Sequence, residues 1–301
     1  MAPFLRIHDR DIKVEGRLLR TGRIDGEKYC FLNDPEPVIE ALKKSGTRVD
    51  LFTFMQRLPE TAPKYKYPME WDNFAVLPIS TFDHWWKQIG PKTRNMVRLG
   101  EKRGLRTAVI PFDDVLVQGI WEIYNETPVR QGKQFPHYGM SLQQAREYAG
   151  TFLADSFFIG AFVEEKLVGF AKLTMDESRT QAGLMHILSM VAHRDKAPTN
   201  ALIAAAVLAC VEHSIPYLVY ANFSYGNKQH DSLSDFKERN GFSRVEIPRY
   251  YVPLTPLGKA VFRLGLHHSL LNHIPEPLIA KLRELRSAWY QRKLQVSGES
   301  R

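Results

Sequence analysis

The sequence predicts an α/β protein in which strands and helices alternate along most of the chain. Three observations carry that prediction. The 301 residues are 44% hydrophobic, 25% charged and 11% aromatic, a balance that suits a globular core and excludes collagen-like, low-complexity or wholly disordered chains. From residue 105 onward, short strand-like runs alternate with runs of helical periodicity. No repeat of roughly 20–50 residues appears, which excludes solenoids and propellers.

At about 100–200 residues per domain, this length predicts two domains, or one large domain with appendages. The expected division is a small α/β region over residues 1–80, a main domain over 81–256 and a tail over 257–301. In the first region, the strand-like runs Lys28–Phe31, Val49–Met55 and Phe74–Ile79 mix with turn-rich text at 33–37 and 59–68, and no chemistry is legible. Asp83–Trp86 then lead into a helix, with Pro91 suited to a first helical turn and Gly104 to the position past the end. Trp85, Ile89, Met96 and Leu99 fall near one face, while Arg94, Arg98 and Lys102 recur every four residues as a basic ridge.

Leu105–Pro111 reads as a strand, and Asp113–Asn125 as a helix packing through Val115, Ile120 and Ile123. A polar loop over 126–139 precedes a second helix, N-capped by Ser141 and running to about Asp155. Three strands are expected at Phe157–Glu164, Leu167–Met175 and Gly183–Ala192, then a helix at Ala201–His213. A strand at Tyr217–Phe223, a short helix at Ser232–Asn240 closed by Gly241, and a last strand at Phe242–Leu254 complete the main region.

The formal charge is +8, but it is not spread evenly. Residues 87–106 carry a net +6 and residues 257–301 a net +5, on a remainder that is slightly acidic. Two basic segments therefore suggest docking of a phosphate-bearing partner. With only Cys30 and Cys210, neither a disulfide scaffold nor a four-cysteine zinc site is expected. The charged start shows no secretory signal, and the longest near-pure apolar run, Ala201–Val211, is far short of the ~20 residues needed to span a bilayer. A cytoplasmic protein without a transmembrane segment is the expectation. In the tail, Leu278, Leu282, Leu285 and Trp289 recur at helical spacing among Lys and Arg, a pattern for a packed helix or for peripheral contact with an anionic membrane.

The order of elements, the text Leu233–Phe242 (LSDFKERNGF) and the text 193–204 (HRDKAPTNALIA) together resemble the GNAT acyltransferase superfamily over about residues 82–256. Within it, the basic helix 92–104 and the pair Phe236-Lys237 are similar to the Fem-type peptidyltransferases. The resemblance implies a mixed, mainly antiparallel sheet flanked by helices, with residues 1–80 as a reduced counterpart of a first half. It implies a donor-phosphate bay at the N-terminus of the helix after 193–200, where unsatisfied N–H groups and the helix dipole meet an anion. Arg194, Lys196, Thr199 and Asn200 are its donor-binding candidates, and Asp195, Thr199 or Asn200 its helix cap. It also places Lys237 near the oxyanion and Tyr225 at the mouth of the cleft.

Loop 127–139 borders the acceptor side in such proteins. Arg130, Gln131 and Tyr138 are acceptor-binding candidates there, Arg249 on the last strand is another, and His137, with an ordinary pKa near ~6.5, is the expected proton acceptor. Two departures from the superfamily pattern stand out. The phosphate loop lacks glycine, and Phe236 occupies the place of a tyrosine that protonates a departing thiolate. Both favour aminoacyl-tRNA as donor, whereas the missing helical arm of the Fem type favours the superfamily's default, acyl-CoA. The leading expectation is an N-acyltransferase that moves an acyl group from acyl-CoA to an amine by direct attack. The alternatives are Fem-like transfer from aminoacyl-tRNA and a non-catalytic module that binds RNA or a membrane surface. No bound cofactor and no metal are expected: His267, His268 and His273 do not share one helical face, and Cys210 sits in an apolar helix.

Overall fold

A computed structural model describes residues 4–130, 132–224 and 232–268 of the chain. In chain order the elements are β1 (Phe4–Ile7), β2 (Arg10–Glu15), β3 (Thr21–Ile24), α1 (Glu36–Lys44), β4 (Leu51–Met55), β5 (Met69–Pro78), α2 (Phe82–Gln88) and α3 (Pro91–Lys102). Then follow β6 (Leu105–Ile110), α4 (Asp114–Asn125), β7 (Val129–Arg130), β8 (Lys133–Gln134), α5 (Leu142–Ala149), β9 (Ser156–Val163), β10 (Lys166–Met175) and β11 (Gln181–Ser189). The rest are α6 (Pro198–Glu212), β12 (Tyr217–Asn222), α7 (Ser232–Arg239), β13 (Ser243–Pro253) and α8 (Pro256–Arg263).

Eleven strands form one sheet in the order β1-β2-β3-β4-β13-β5-β12-β11-β10-β9-β6. Its pairs are antiparallel except β3 with β4 and β11 with β12. Each parallel pair is joined through a helix, α1 in the first case and α6 in the second, as a parallel connection requires. The β3–α1–β4 unit thus repeats, in shorter form, the β11–α6–β12 unit. β5 sits between β12 and β13, so strands from residues 1–80 and from the rest of the chain share one ladder.

Local chemistry explains the elements. Asp113 and Ser141 cap α4 and α5 by accepting from the backbone N–H groups of Leu116 and Gln144, and Gln144 returns the bond to complete a capping box. Gly104 and Gly241 adopt positive φ beyond α3 and α7. At Gly241 the N–H of Phe242 reaches the Lys237 carbonyl and that of Gly241 the Glu238 carbonyl, the two bonds of a Schellman motif. Helices cover both faces of the sheet: Phe170 on β10 meets Tyr124 of α4 at 6.0 Å, while its neighbour Gly169 leaves room for Leu202 of α6. α6 is apolar all round and buries most of its residues, which suits a helix enclosed by α2, α3 and the sheet.

Several expectations are corrected. Lys28–Phe31 is not a strand, and β1–β3 and α1 were not anticipated. α4 turns Val115 to solvent at 79% exposure and packs instead through Leu116, Val117, Ile120, Ile123 and Tyr124. In α3 the buried positions are Thr93, Val97 and Gly100 rather than Met96 and Leu99. α5 stops at Ala149, and a 3-10 turn at Leu153–Asp155 follows. β11 ends at Ser189, where another 3-10 turn, Val191–Lys196, leads into α6 three residues earlier than Ala201. Among the described residues, no helix is long and apolar enough to cross a membrane. Most of the expected basic tail, residues 269–301, lies outside the described residues.

Candidate active site

The ladder between β11 and β12 is short. Gln181, Ala182 and Gly183 pair with Tyr217, Leu218 and Val219, and beyond that point the strands separate. Each strand carries a bulge at the fork. Lys172 pairs with His186 and Leu173 with Leu184, leaving Met185 as an extra residue of β11. The register of β12 against β5 shifts between Val219 and Asn222, and Ala221 there has φ of 43°. An extra residue bends its strand and sharpens the local twist. Two bulges facing one another therefore open the sheet near its centre.

The opening is a bay of about 650 Å³, within the size range of small-molecule sites. β11 contributes Ile187, Leu188 and Ser189, and β12 contributes Tyr220. α7 supplies Ser232, Leu233 and Phe236, while Met96 of the basic helix α3 closes one side. The remaining wall is Arg130, Phe135, Arg194 and the start of α6, from Ala197 to Asn200.

That helix start has no side-chain cap. Ala197 is the N-cap residue, held in the left-handed region at φ 49°. A left-handed alanine costs roughly 1–2 kcal/mol, so packing must hold the turn. The expected capping residues are engaged elsewhere. Asp195 pairs with Arg103 at 3.2 Å and Lys196 at 3.5 Å. Thr199 Oγ1 lies 3.2 Å from Ser189 Oγ, and Asn200 donates to Asn240 at 3.2 Å. Pro198 has no N–H, and those of Asn200 and Ala201 donate to the Ala197 carbonyl, so the Thr199 N–H and the positive end of the α6 dipole border the bay without a side-chain cap. Arg194, exposed on the rim, adds a full positive charge.

Two features hold the turn. Glu126 accepts from the N–H groups of Val191 at 2.7 Å and Ala192 at 2.9 Å, fixing the start of the 3-10 segment. Arg130 bonds Glu126 at 3.3 Å, the Ser189 carbonyl at 2.7 Å and the Ile123 carbonyl at 2.6 Å, and lies 4.4 Å from the Phe135 ring centre. Arg130 therefore lines the bay with both terminal nitrogens committed to the protein, while its buried Nε has no hydrogen-bond partner among the described residues. Behind the turn, α3 approaches so closely that a Cβ on Gly100 would sit 2.6 Å from the Lys196 carbonyl oxygen. Gly100→Val is expected to destabilise the fold by about 2–3 kcal/mol through overpacking. Gly90→Ala, where a Cβ meets open space, should stay within about 0.5 kcal/mol. Chemical denaturation of the two variants checks the contrast, and equal stabilities would contradict the packing described.

Lys237 is fully buried. Its Nζ donates to the carbonyls of Asn222 and Phe223 at the end of β12 and lies 4.8 Å from the Tyr220 ring centre. The Tyr220 ring thus separates a buried ammonium from the bay. Trp85 and Thr93 hold the C-terminal end of α7 by donating to the carbonyls of Asn240 and Arg239, each at 2.9 Å. Phe236 packs against the main core and forms part of the bay wall.

The structure does not gather the other expected residues here. His137 stands behind Phe135, stacked on Tyr124 at 4.6 Å and tilted against Tyr148 at 4.8 Å. Burial, helped by Arg130, lowers its pKa, so its imidazole is neutral at pH 7. Deeper in the same cluster, burial pushes the Lys172 ammonium down to about 8. Burial together with Lys172 and His137 pushes His186 to about 4. Tyr138 is exposed on the loop and Lys196 is turned to Asp195, neither lining the bay. Gln131 and Tyr225 lie outside the described residues.

Arg249 lies on β13, separated from β12 by β5, in a buried cluster with Glu27 at 2.8 Å and Asp72 at 2.6 Å. Burial opposes its charge, but Glu27 and Asp72 outweigh that and hold its pKa above the ordinary value. It is a structural ion pair, not a wall of the bay. Cys210 is a core residue whose thiol burial pushes up to about 12. Glu126, Ser189 and Tyr220 were missed from sequence. Only Glu126 left a signal, standing four residues before Arg130 on the α4 exit.

No family model matches the sequence, and no curated protein is similar to it at a significant level. Solved structures are similar in fold. The crystal structure of FemX superposes with a TM-score of 0.60 at 10% identity, covering 85% of this chain and 86% of that one. The L-PGS structure from Bacillus licheniformis gives 0.57 at 14% identity, with 87% of each chain covered. A C-terminal domain from Agrobacterium fabrum, described as that of a lysylphosphatidylglycerol synthetase, gives 0.54 at 11% identity, again over 87% of each. The fold is accordingly GNAT-like and of the Fem type, and the likeness covers 85–87% of the chain.

Proposed function

We propose that this protein is an aminoacyltransferase that accepts the 3′ end of a charged tRNA in the bay and passes the aminoacyl group to an amine. The coarser statement, an acyl- or aminoacyltransferase fold, rests on the structures just described. The finer reading rests on one observation: the bay joins an uncapped helix N-terminus and Arg194 to a wall in which Phe236 has no proton for a departing thiolate. A glycine-free turn with Pro198 at its end also restricts close backbone approach to a pyrophosphate, whereas a single phosphodiester needs less. The name of one similar structure, a lysylphosphatidylglycerol synthetase, includes a lysyl group and points the same way.

In this reading the neutral amine attacks the ester carbonyl. The new C–N bond forms, the bond to the ribose oxygen breaks, and that oxygen leaves as a hydroxyl carrying a proton released by the amine. Solvent in the open bay takes and returns the proton in this reading. The Lys237 ammonium, behind Tyr220, supplies positive field to the tetrahedral oxyanion. Residues 1–80 serve as a reduced first half that completes the sheet beside β12.

Arg194→Ala tests the donor assignment. A charge-assisted bond to phosphate contributes about 1.5–3 kcal/mol, so donor KM should rise roughly 10–100-fold with little change in kcat. Binding that is strong for acetyl-CoA and absent for charged tRNA in a thermal-shift comparison would replace this reading with the acyl-CoA one. An unchanged KM would remove Arg194 from the site.

A further inference from the structure

Outside the residues that line the bay, a second group of side chains converges. Glu70 opens β5, and His267 and His268 lie in the turn after α8. Both imidazole Nε2 atoms stand 3.0 Å from the same Glu70 Oε1, and the three candidate ligand atoms all lie within 4.8 Å of one another. Two ligands about 2.1 Å from one ion and 3.0 Å apart subtend roughly 90° at it, an accessible angle for a divalent transition metal. The spacing His267, His268, His273 offers no ligand set by itself; the fold supplies the carboxylate from 197 residues away.

The site is also held and reachable. The His267 ring is stacked on Phe262 at 4.7 Å and meets Tyr251 edge-on at 4.8 Å, so its orientation is fixed by packing. Its side chain is only 4% exposed, whereas Glu70 and His268 are about one-third exposed. An ion can therefore arrive from solvent and keep a water ligand. No ion-pair partner for Glu70 other than the two imidazoles occurs among the described residues.

We propose that Glu70, His267 and His268 form a divalent transition-metal site of the zinc class, which fastens the turn after α8 to the start of β5. Two imidazole nitrogens and one carboxylate suit zinc and disfavour magnesium or calcium, which require oxygen-rich shells. Because neither helix α6 nor the bay takes part, the site stands or falls independently of the transfer reaction.

The test is calorimetric titration of the untagged, chelator-treated full chain with zinc, alongside cobalt(II) absorption. One equivalent should bind, cobalt should give ligand-field bands in the visible, and saturating zinc should raise the melting temperature by about 5 °C. Millimolar magnesium should not compete. Glu70→Gln and His268→Gln, both at partly exposed positions, should keep the fold and weaken zinc binding at least roughly 100-fold, beyond the loss seen when only supporting groups are removed. Absence of stoichiometric binding, or retention of the parental affinity in both variants, would show a plain histidine–carboxylate hydrogen-bond cluster and overturn the proposal.

Discussion

Replacing Arg249 by methionine should lower the unfolding free energy by about 3–5 kcal/mol, because it leaves two largely buried carboxylates without the guanidinium that hydrogen-bonds both. Arg249 binds Glu27 through both terminal nitrogens, at 2.8 and 3.2 Å, and Asp72 through Nε at 2.6 Å. All three side chains are less than one-quarter exposed. Dehydrated carboxylates in such a place are far costlier alone than paired. A melting temperature lower by about 6–12 °C is expected, and adding Glu27→Gln and Asp72→Asn should restore most of the loss. Donor KM, measured well below the transition, should not move. A variant of parental stability with impaired acceptor use would contradict this and return Arg249 to the acceptor site.

Lys237→Met carries the second large effect, on rate. A unit charge roughly 6–8 Å from a developing oxyanion, at an effective dielectric of about 20, contributes about 2–3 kcal/mol. Its loss should lower kcat by roughly 30–100-fold with donor KM changed little. The same substitution leaves the Asn222 and Phe223 carbonyls without their ammonium donor, so a stability loss of about 1–3 kcal/mol should accompany it. The two readouts separate the roles. If stability falls but folded protein transfers at the parental rate, Lys237 only braces the end of β12.

How far the sequence carried these conclusions depends on the range of the forces involved. Caps, turns and periodicity are local, and they placed α4 through Asp113, α5 through Ser141 and the end of α7 through Gly241. Positions within a helix went wrong where tertiary contacts decide. Gly100 is buried in α3 because the Lys196 carbonyl presses on it, which no pattern within 91–102 reveals. The α6 start was misplaced because a left-handed Ala197, held by the Glu126 bonds to Val191 and Ala192, lets Pro198 open the helix.

The bay shows the same division. Arg194, Thr199 and Asn200 were legible as residue types next to a helix start, and Arg130 as a loop residue on the expected acceptor side; all four line the bay. The fork itself comes from bulges at Met185 and Ala221, and bulge positions depend on pairing with β10 and β5. Arg249 was misread for a related reason. Its neighbours Glu27 and Asp72 are 222 and 177 residues away in the chain, so a strand arginine destined for a buried pair looks, in sequence, like one aimed at a ligand. The basic ridge is reduced likewise, since Arg94 donates to the carbonyls of Trp86 and Ile89 and Arg98 packs over Trp86.

The most direct measurement of the central claim is single-turnover transfer to hydroxylamine as a surrogate amine, from a labelled mixture of aminoacyl-tRNAs and, separately, from labelled acetyl-CoA. Aminoacyl hydroxamate should form from tRNA faster than the uncatalysed background, and Arg194→Ala and Lys237→Met should each slow it. Acetyl-CoA should give no enzyme-dependent product. Catalysed acetyl transfer with inert tRNA would contradict the donor assignment, and background rates with both donors would contradict the assignment as a transferase.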